Sequence, residues 1–320
     1  MNINMIRAAA DRARGHLRVT PLLSSPGLDR LAGRPVLVKA EVLQMTGSFK
    51  ARGGWAAVSA LAPSVRQTGV IAFSSGNHAQ GVAYAARAFE VPAVIIMPND
   101  APLAKINGTK ALGAEVILYD RMTDDRDAMG LVIAKARNLT LIRPFDDPEV
   151  IAGQGTCGLE IASQAAEMGV TEAEVLVCCG GGGLTSGIAL ALAADAPKMR
   201  VRPVEPIDFD DVSRSLAAGR IERNFRLTGS ICDAILTPQP GNLTFPVMQR
   251  LCGPGMVVTD QDCLRAMAVG FRELKIVLEP GGAAALAAAL YQGGGDPVIV
   301  IASGGNVDPA MFRRALEQPD

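Results

Sequence analysis

One lysine in this chain stands where its own chemistry would be altered. Lys50 lies in GSFKARGG (47–54), after a short apolar run, Val36–Lys39, and at the start of a helical pattern, Ser48–Leu61. An amine at a helix N-terminus meets the positive end of the helix dipole, which disfavours its charge and lowers its pKa. A neutral lysine is what a Schiff base requires. Three more strings with chemical potential follow apolar runs. After Val70–Phe73 comes SSGNHAQG (74–81), where Ser74, Ser75 and Asn77 crowd a turn into a helix. Their hydroxyls and amide, with the free N–H groups of the helix, form a cradle for a carboxylate, although Ser and Asn also serve as ordinary N-caps. After Val175–Cys179 comes GGGGLTSG (180–187), whose glycines let backbone N–H groups converge on one anion while the next helix adds its dipole. No Lys-Ser/Thr follows at Walker spacing, so a phosphate monoester fits better than a nucleotide. After Val298–Ala302 comes SGGN (303–306), which sets Ser303 at a strand end with two glycines behind it.

The elements that must position these residues alternate. Further strand candidates are Ala93–Met97, Val116–Tyr119 and Val201–Val204. The helical patterns are Ser48–Leu61, His78–Phe89, Leu103–Leu112, Arg126–Arg137, Leu184–Ala193, Gln261–Leu274 and Ala283–Tyr291. Val/Ile-rich strands without polar alternation are covered on both faces, and β-α alternation gives an α/β protein with mainly parallel sheets. Residues 69–146 form a compact run of strand-helix units. The expected division is a large domain from 1–62 and 147–320, with 69–146 inserted as a small domain and RPFDDPEV (143–150) as a crossing. Ligands in such folds bind beyond the carboxyl ends of strands, where the four strings lie. Gly153, Gly155 and Gly158 match GxGxxG, but DDPEVIA before them is a poor strand and no acidic residue ends the next one, so a dinucleotide site is rejected.

Composition removes other classes. The 320 residues suit about two domains. With 49% apolar and 20% charged residues, a large core is available. The formal charge is −1 and the 31 basic residues form no run, so neither nucleic acid nor a membrane surface has an electrostatic footprint. Six cysteines include no CxxC pair and only two histidines accompany them, which argues against a zinc site and for reduced core thiols. Nothing reads as a membrane span or an N-terminal signal, and a reducing cytoplasm is the expected compartment.

Taken together, the strings TGSFKARGG, SSGNHAQGVAYAA, MPNDAPLAKINGTKALGAEVILYD, DDPEVIAGQGTCGLEI, CGGGGLTSGIA, VEPIDFDD, LEPGGAAAL and SGGNVD closely resemble the fold type II pyridoxal-phosphate enzymes. More specifically, the chain resembles the serine/threonine dehydratase and serine racemase family, from about residue 15 to 312. The resemblance implies two open, twisted, mainly parallel sheets flanked by helices, as in the tryptophan synthase β-like fold. It implies that Lys50 holds the aldehyde of pyridoxal 5'-phosphate and later takes the substrate's Cα proton. Phe49 packs by the ring, Asn77 bonds the ring hydroxyl, Gly180, Gly181, Gly182, Gly183 and Leu184 bind the phosphate, and Ser303 meets the pyridine nitrogen. A hydroxyl there makes a weaker electron sink than a carboxylate would, which suits prompt β-elimination. Ser74, Ser75, Asn77 and His78 surround the substrate carboxylate, with Arg126 as a closing contact. In VEPIDFDD (204–211), Glu205, the Phe209 carbonyl and Asp211 match a Mg²⁺ or Ca²⁺ site.

The activity so implied is dehydration of a β-hydroxy amino acid (L-serine, L-threonine or a 3-hydroxyaspartate-like substrate) to a 2-oxo acid and ammonia. The alternative is a serine- or aspartate-type racemase, since Ser75 matches the serine that racemases of the family carry where biosynthetic threonine dehydratases carry alanine. A silent amino-acid-binding module has no reason to keep Lys50 together with a phosphate cup. A homodimer is expected, and with nothing after residue 320 to form a regulatory domain, so is an enzyme without that mode of feedback.

Overall fold

Three apolar runs, VLVK at 36–39, VIAF at 70–73 and VIVI at 298–301, are buried along their whole length. Strands buried on both faces need a layer of helices on each side, and that is the architecture of the computed structural model. It describes all residues except Ser75, Pro102, Arg121, Leu227, Gly295, Asp296, Pro319 and Asp320, and all side chains of those described except Ala104 and Asp127. The strands are β1 (Leu22–Ser24), β2 (Val36–Lys39), β3 (Val70–Phe73), β4 (Ala93–Pro98), β5 (Glu115–Tyr119), β6 (Thr140–Leu141), β7 (Ala173–Cys178), β8 (Met199–Pro206), β9 (Met256–Val258) and β10 (Val298–Ile301). The helices are α1 (Ile3–Ala13), α2 (Pro26–Ala32), α3 (Lys50–Ala60), α4 (Pro63–Arg66), α5 (Asn77–Ala88), α6 (Leu103–Ala111), α7 (Arg126–Arg137), α8 (Pro148–Glu167), α9 (Gly183–Asp195), α10 (Asp211–Ala218), α11 (Thr244–Leu251), α12 (Asp260–Leu274), α13 (Pro280–Tyr291) and α14 (Pro309–Leu316).

Two sheets result. One has the order β1-β2-β10-β7-β8-β9, the other β5-β4-β3-β6. Only the β1–β2 pairing is antiparallel among the described ladders. The smaller sheet draws all its strands from 70–141, and the larger draws its strands from before residue 40 and after residue 172. Helix α3 serves both: Trp55, Ala57 and Val58 share a core with Val70, Ala79 and Val82, while its other face meets α8. No helix among the described residues is long and apolar enough to cross a membrane.

The segment 143–150 differs from its expectation as a plain crossing. Pro144 and Phe145 wall the main cavity, Asp147 accepts from Glu149 and Val150 N–H as an N-cap, and Pro148 opens the 20-residue α8. The GQGTCG string lies inside that helix, which is why no strand precedes it.

Candidate active site

The site grows from three strand-to-helix connections that open on one side. Lys50 is the first residue of α3, and the loop before it is stitched to the end of β10: Phe49 N–H donates to the Ser303 carbonyl at 3.0 Å, and Ser48 bridges to Gly304. The turn after β3 carries Ser74, Asn77 and His78 into α5, and the turn after β7 carries Gly180–Gly183 into α9. Neither α5 nor α9 has a side-chain cap hydrogen bond, so neither first turn is capped by a side chain. The three turns surround a cavity of about 820 Å³.

Burial shapes the chemistry there. The Lys50 ammonium is pushed down to about 8 by burial, against the opposing pull of Glu279. The direction matches the sequence expectation, but the cause is desolvation rather than the helix end. Its Nζ donates to the Pro144 carbonyl at 2.7 Å and lies 5.2 Å from the Phe49 ring centroid. Burial and the neighbouring Lys50 charge push His78 down to about 3, so its imidazole is neutral. With Nε2 at 3.2 Å from the Ile142 carbonyl, Nε2 is the donor, and Nδ1 is left as a buried acceptor without a hydrogen-bond partner.

The cavity is lined by Phe49, Lys50, Ser74, Asn77, His78, Arg126 and the whole stretch Gly180–Leu184. The Arg126 guanidinium lies 5.2 Å from the Phe73 ring centroid. Ser75 lies outside the described residues. Ser303 is buried beside the Cys178 thiol, and Cys178 lines the cavity. Glu205, Phe209 and Asp211 are buried, with the two carboxylates near Cys179.

Several contributors escaped the sequence reading. Asn77 Nδ2 donates to Glu279 Oε1 at 2.5 Å, and Asn77 Oδ1 accepts from Asn306 Nδ2 at 2.8 Å. Both partners sit in strings already singled out, LEPGG and SGGN, but nothing in their spacing says that they meet α5. Phe145 packs so closely that a Cβ on Gly181 would come within 2.3 Å of its ring. Lys105 and Gln154 also reach the cavity, and both polar atoms of the Gln154 side chain are buried without a partner.

These residues fit pyridoxal phosphate. A buried amine of lowered pKa can take an aldehyde, an uncapped helix start with four glycines can take a phosphate, and unpartnered buried groups at His78 and Gln154 wait for polar atoms of a ligand. The cation site is thinner. Among the described residues no group of three or more His, Cys, Asp or Glu could hold a metal. Two buried carboxylates remain: Glu205 accepts from Val212 N–H and from the N–H and Oγ of Ser213, while Asp211 Oδ2 has no hydrogen-bond partner.

Comparison with known proteins agrees with this geometry. A family model described as "Pyridoxal-phosphate dependent enzyme" matches residues 13–304. An L-threo-3-hydroxyaspartate ammonia-lyase of Pseudomonas sp is 41% identical over 312 residues, 97% of this chain and 96% of that one. A serine racemase of Schizosaccharomyces pombe is 38% identical over 316 residues, 98% of this chain and 96% of that one. The structure of maize serine racemase superposes with a TM-score of 0.92 at 35% identity, covering 98% of this chain and 96% of that one.

Proposed function

The chain belongs to the pyridoxal-phosphate dependent enzyme family, and from that premise we propose that it is an ammonia-lyase of β-hydroxy amino acids, with L-serine, L-threonine and 3-hydroxyaspartate as the substrate class. The observation that carries the reading is a buried lysine amine with a pKa of about 8 in the same cavity as a four-glycine turn at a helix start. When bound, pyridoxal phosphate supplies an electron sink that acidifies the substrate's α-carbon. The backbone N–H groups of Gly180–Leu184 hold the phosphate, Phe49 packs by the ring, Asn77 bonds its hydroxyl and Ser303 meets its nitrogen. Ser74, Ser75, Asn77, His78 and Arg126 orient the substrate. Lys50 takes the Cα proton, the β-hydroxyl departs as water, and hydrolysis of the dehydrated product gives the 2-oxo acid and ammonia. Neutral His78 serves that arrangement as an acceptor rather than as a counter-charge.

The sheet memberships support a small domain at 69–146 that closes over the substrate, with α3 as the shared joint. A divalent cation, Mg²⁺ or Ca²⁺, at Glu205, the Phe209 carbonyl and Asp211 is supported by the unpartnered Asp211 oxygen. A cytoplasmic homodimer completes the reading. Amino acid racemisation is a second activity of the same site, favoured by Ser75 and by the serine racemase relative.

The test is the purified holoenzyme. It absorbs at ~410–420 nm, where a lysine-bound cofactor absorbs. Presented with both enantiomers of β-hydroxy amino acids, it releases 2-oxo acid. A protein that carries the absorbance but yields no 2-oxo acid from L-serine, L-threonine or 3-hydroxyaspartate is not this lyase.

A further inference from the structure

Two residues beyond Lys50, Arg52 turns away from the cavity into a buried cluster of charge. Its Nε and Nη2 donate to the two carboxylate oxygens of Glu41 at 2.7 and 2.8 Å, and its Nη1 and Nη2 donate to those of Glu160 at 2.6 and 2.8 Å. Lys39 Nζ adds a third cation-to-carboxylate contact, 2.6 Å to Glu160 Oε2. The side chains of Arg52, Glu41 and Lys39 are 2%, 0% and 0% exposed and that of Glu160 only 16%. Two cations and two anions balance, and two bidentate pairs fix the guanidinium in plane and direction. Buried ion pairs rarely add net stability over apolar packing of the same shape, whereas breaking one leaves a buried charge uncompensated, so the cluster holds its members in one arrangement.

Its members sit on the elements that must be in register for the site. Lys39 ends β2, Glu41 follows it, Arg52 lies in the first turn of α3, and Glu160 lies on α8. Helix α8 in turn lies against the backbones of both site helices. A Cβ on Gly153 would come within 2.5 Å of the Arg52 carbonyl, and one on Gly187 of α9 within 2.5 Å of Gly155 N. The helix that presents Lys50 and the helix that begins at the glycine turn are therefore held against one strut. Arg52 is the ionic link between the lysine helix and that strut.

We propose that Arg52, clamped by Glu41 and Glu160, is a positioning residue that sets Lys50 relative to the Gly180–Gly183 turn. It touches neither cofactor nor substrate. The inference rests on Lys50 being the residue that combines with pyridoxal phosphate, as argued above.

Two variants test it, Arg52→Lys, which keeps the charge and loses the fork, and Glu160→Gln, which keeps the shape and loses a charge. Each is stripped of cofactor, mixed with pyridoxal phosphate and reduced with borohydride, and the rate of label appearing on Lys50 is read by peptide mass spectrometry. Steady-state kcat and KM of the holoenzyme and melting temperature are measured beside it. Misplacing the amine slows labelling and lowers kcat by ~10-fold or more while KM stays within ~3-fold. A cluster that serves stability alone lowers the melting temperature and leaves both rates per folded molecule intact. If labelling and kcat fall by less than ~5-fold in either variant that folds, or if only KM moves, the positioning role is overturned. If wild-type Lys50 takes no label, the lyase reading fails with it, and the two failures are distinguishable.

Discussion

Lys50 and His78 share one buried side of the cavity, and desolvation acts on both in the same direction with different consequences. His78 falls to about 3 and is neutral across the physiological range, so it contributes no charge and no titration there. Lys50 falls from 10.5 to about 8 and becomes the base that titrates near neutrality. The rate at which the cofactor-free protein combines with pyridoxal phosphate therefore rises with pH and levels off above about 8. Stopped-flow absorbance across pH 6–10 checks this, and a rate still climbing toward 10.5 contradicts it. The second residue-scale argument concerns Ser75. A lysine reaches Cα from one side of the cofactor plane, so racemisation needs another proton donor on the opposite side, whereas dehydration of an L-substrate does not. Ser75→Ala is expected to remove enantiomer exchange and to leave dehydration of the L-enantiomer within ~10-fold, the scale of one lost non-essential contact. Chiral chromatography and 2-oxo acid formation on the same samples decide it. Equal loss of both activities in a folded, yellow variant assigns Ser75 to substrate binding instead.

At the scale of elements, the turn between β7 and α9 has the narrowest tolerance. Gly182 adopts φ 90°, a left-handed conformation that side chains disfavour, and Gly181 faces the Phe145 ring with no room for a methyl group. Gly181→Ala must push Phe145 or the turn aside, at about 1–3 kcal/mol of strain. Since both line the cavity, weaker pyridoxal-phosphate binding should accompany the drop in melting temperature, and fluorescence titration of the cofactor-free variant measures it. Unchanged affinity would mean that Phe145 yields without moving the turn. The glycines themselves were legible because four in a row after an apolar run have few other uses. Strands such as β2, β3, β4 and β10 were legible because parallel strands buried on both faces read as unbroken apolar runs, whereas the short β1, β6 and β9 were missed. Phe145 was not legible, since it arrives from a segment that reads as a linker. Helix α8 was missed for a related reason. Its glycines, which look like loop residues, are where the backbones of α3 and α9 come closest. Close approach between helices selects small residues and erases the apolar periodicity by which a helix is recognised. Glu279 and Asn306 were visible as motif members, but their partnership with Asn77 spans 202 and 229 positions of sequence and depends on the fold.

For the molecule as a whole, the buried pair Glu205 and Asp211 ties stability to pH, and the cation site proposed there would tie it to divalent cations as well. Burial, with Asp211 as a neighbouring charge, raises Glu205 from 4.5 to about 8, and burial raises Asp211 from 3.8 to about 7. Unfolded, both groups ionise near pH 4; folded, they hold their protons to pH 7 or 8. Between those limits the folded state binds more protons than the unfolded state, so this contribution is complete below pH 4 and is lost as pH rises toward 8. In the presence of a chelator, the melting temperature should thus fall from pH 5 to pH 8.5 more steeply in the wild type than in Glu205→Gln, which has no proton to lose there. A divalent cation between the two carboxylates reverses the argument, because it binds the ionised pair and has to displace protons at low pH. Mg²⁺ or Ca²⁺ should raise the melting temperature more at pH 8 than at pH 5, the underlying stabilisation growing with concentration to ~2.7 kcal/mol at a hundred times the dissociation constant. The variant should show a shallower fall, from Asp211 alone, and no cation gain. A wild-type protein whose melting temperature is indifferent to both chelator and cation at pH 8 would leave Glu205 and Asp211 as a buried pair that keeps its protons, stabilised by Val212, Ser213 and Asn224.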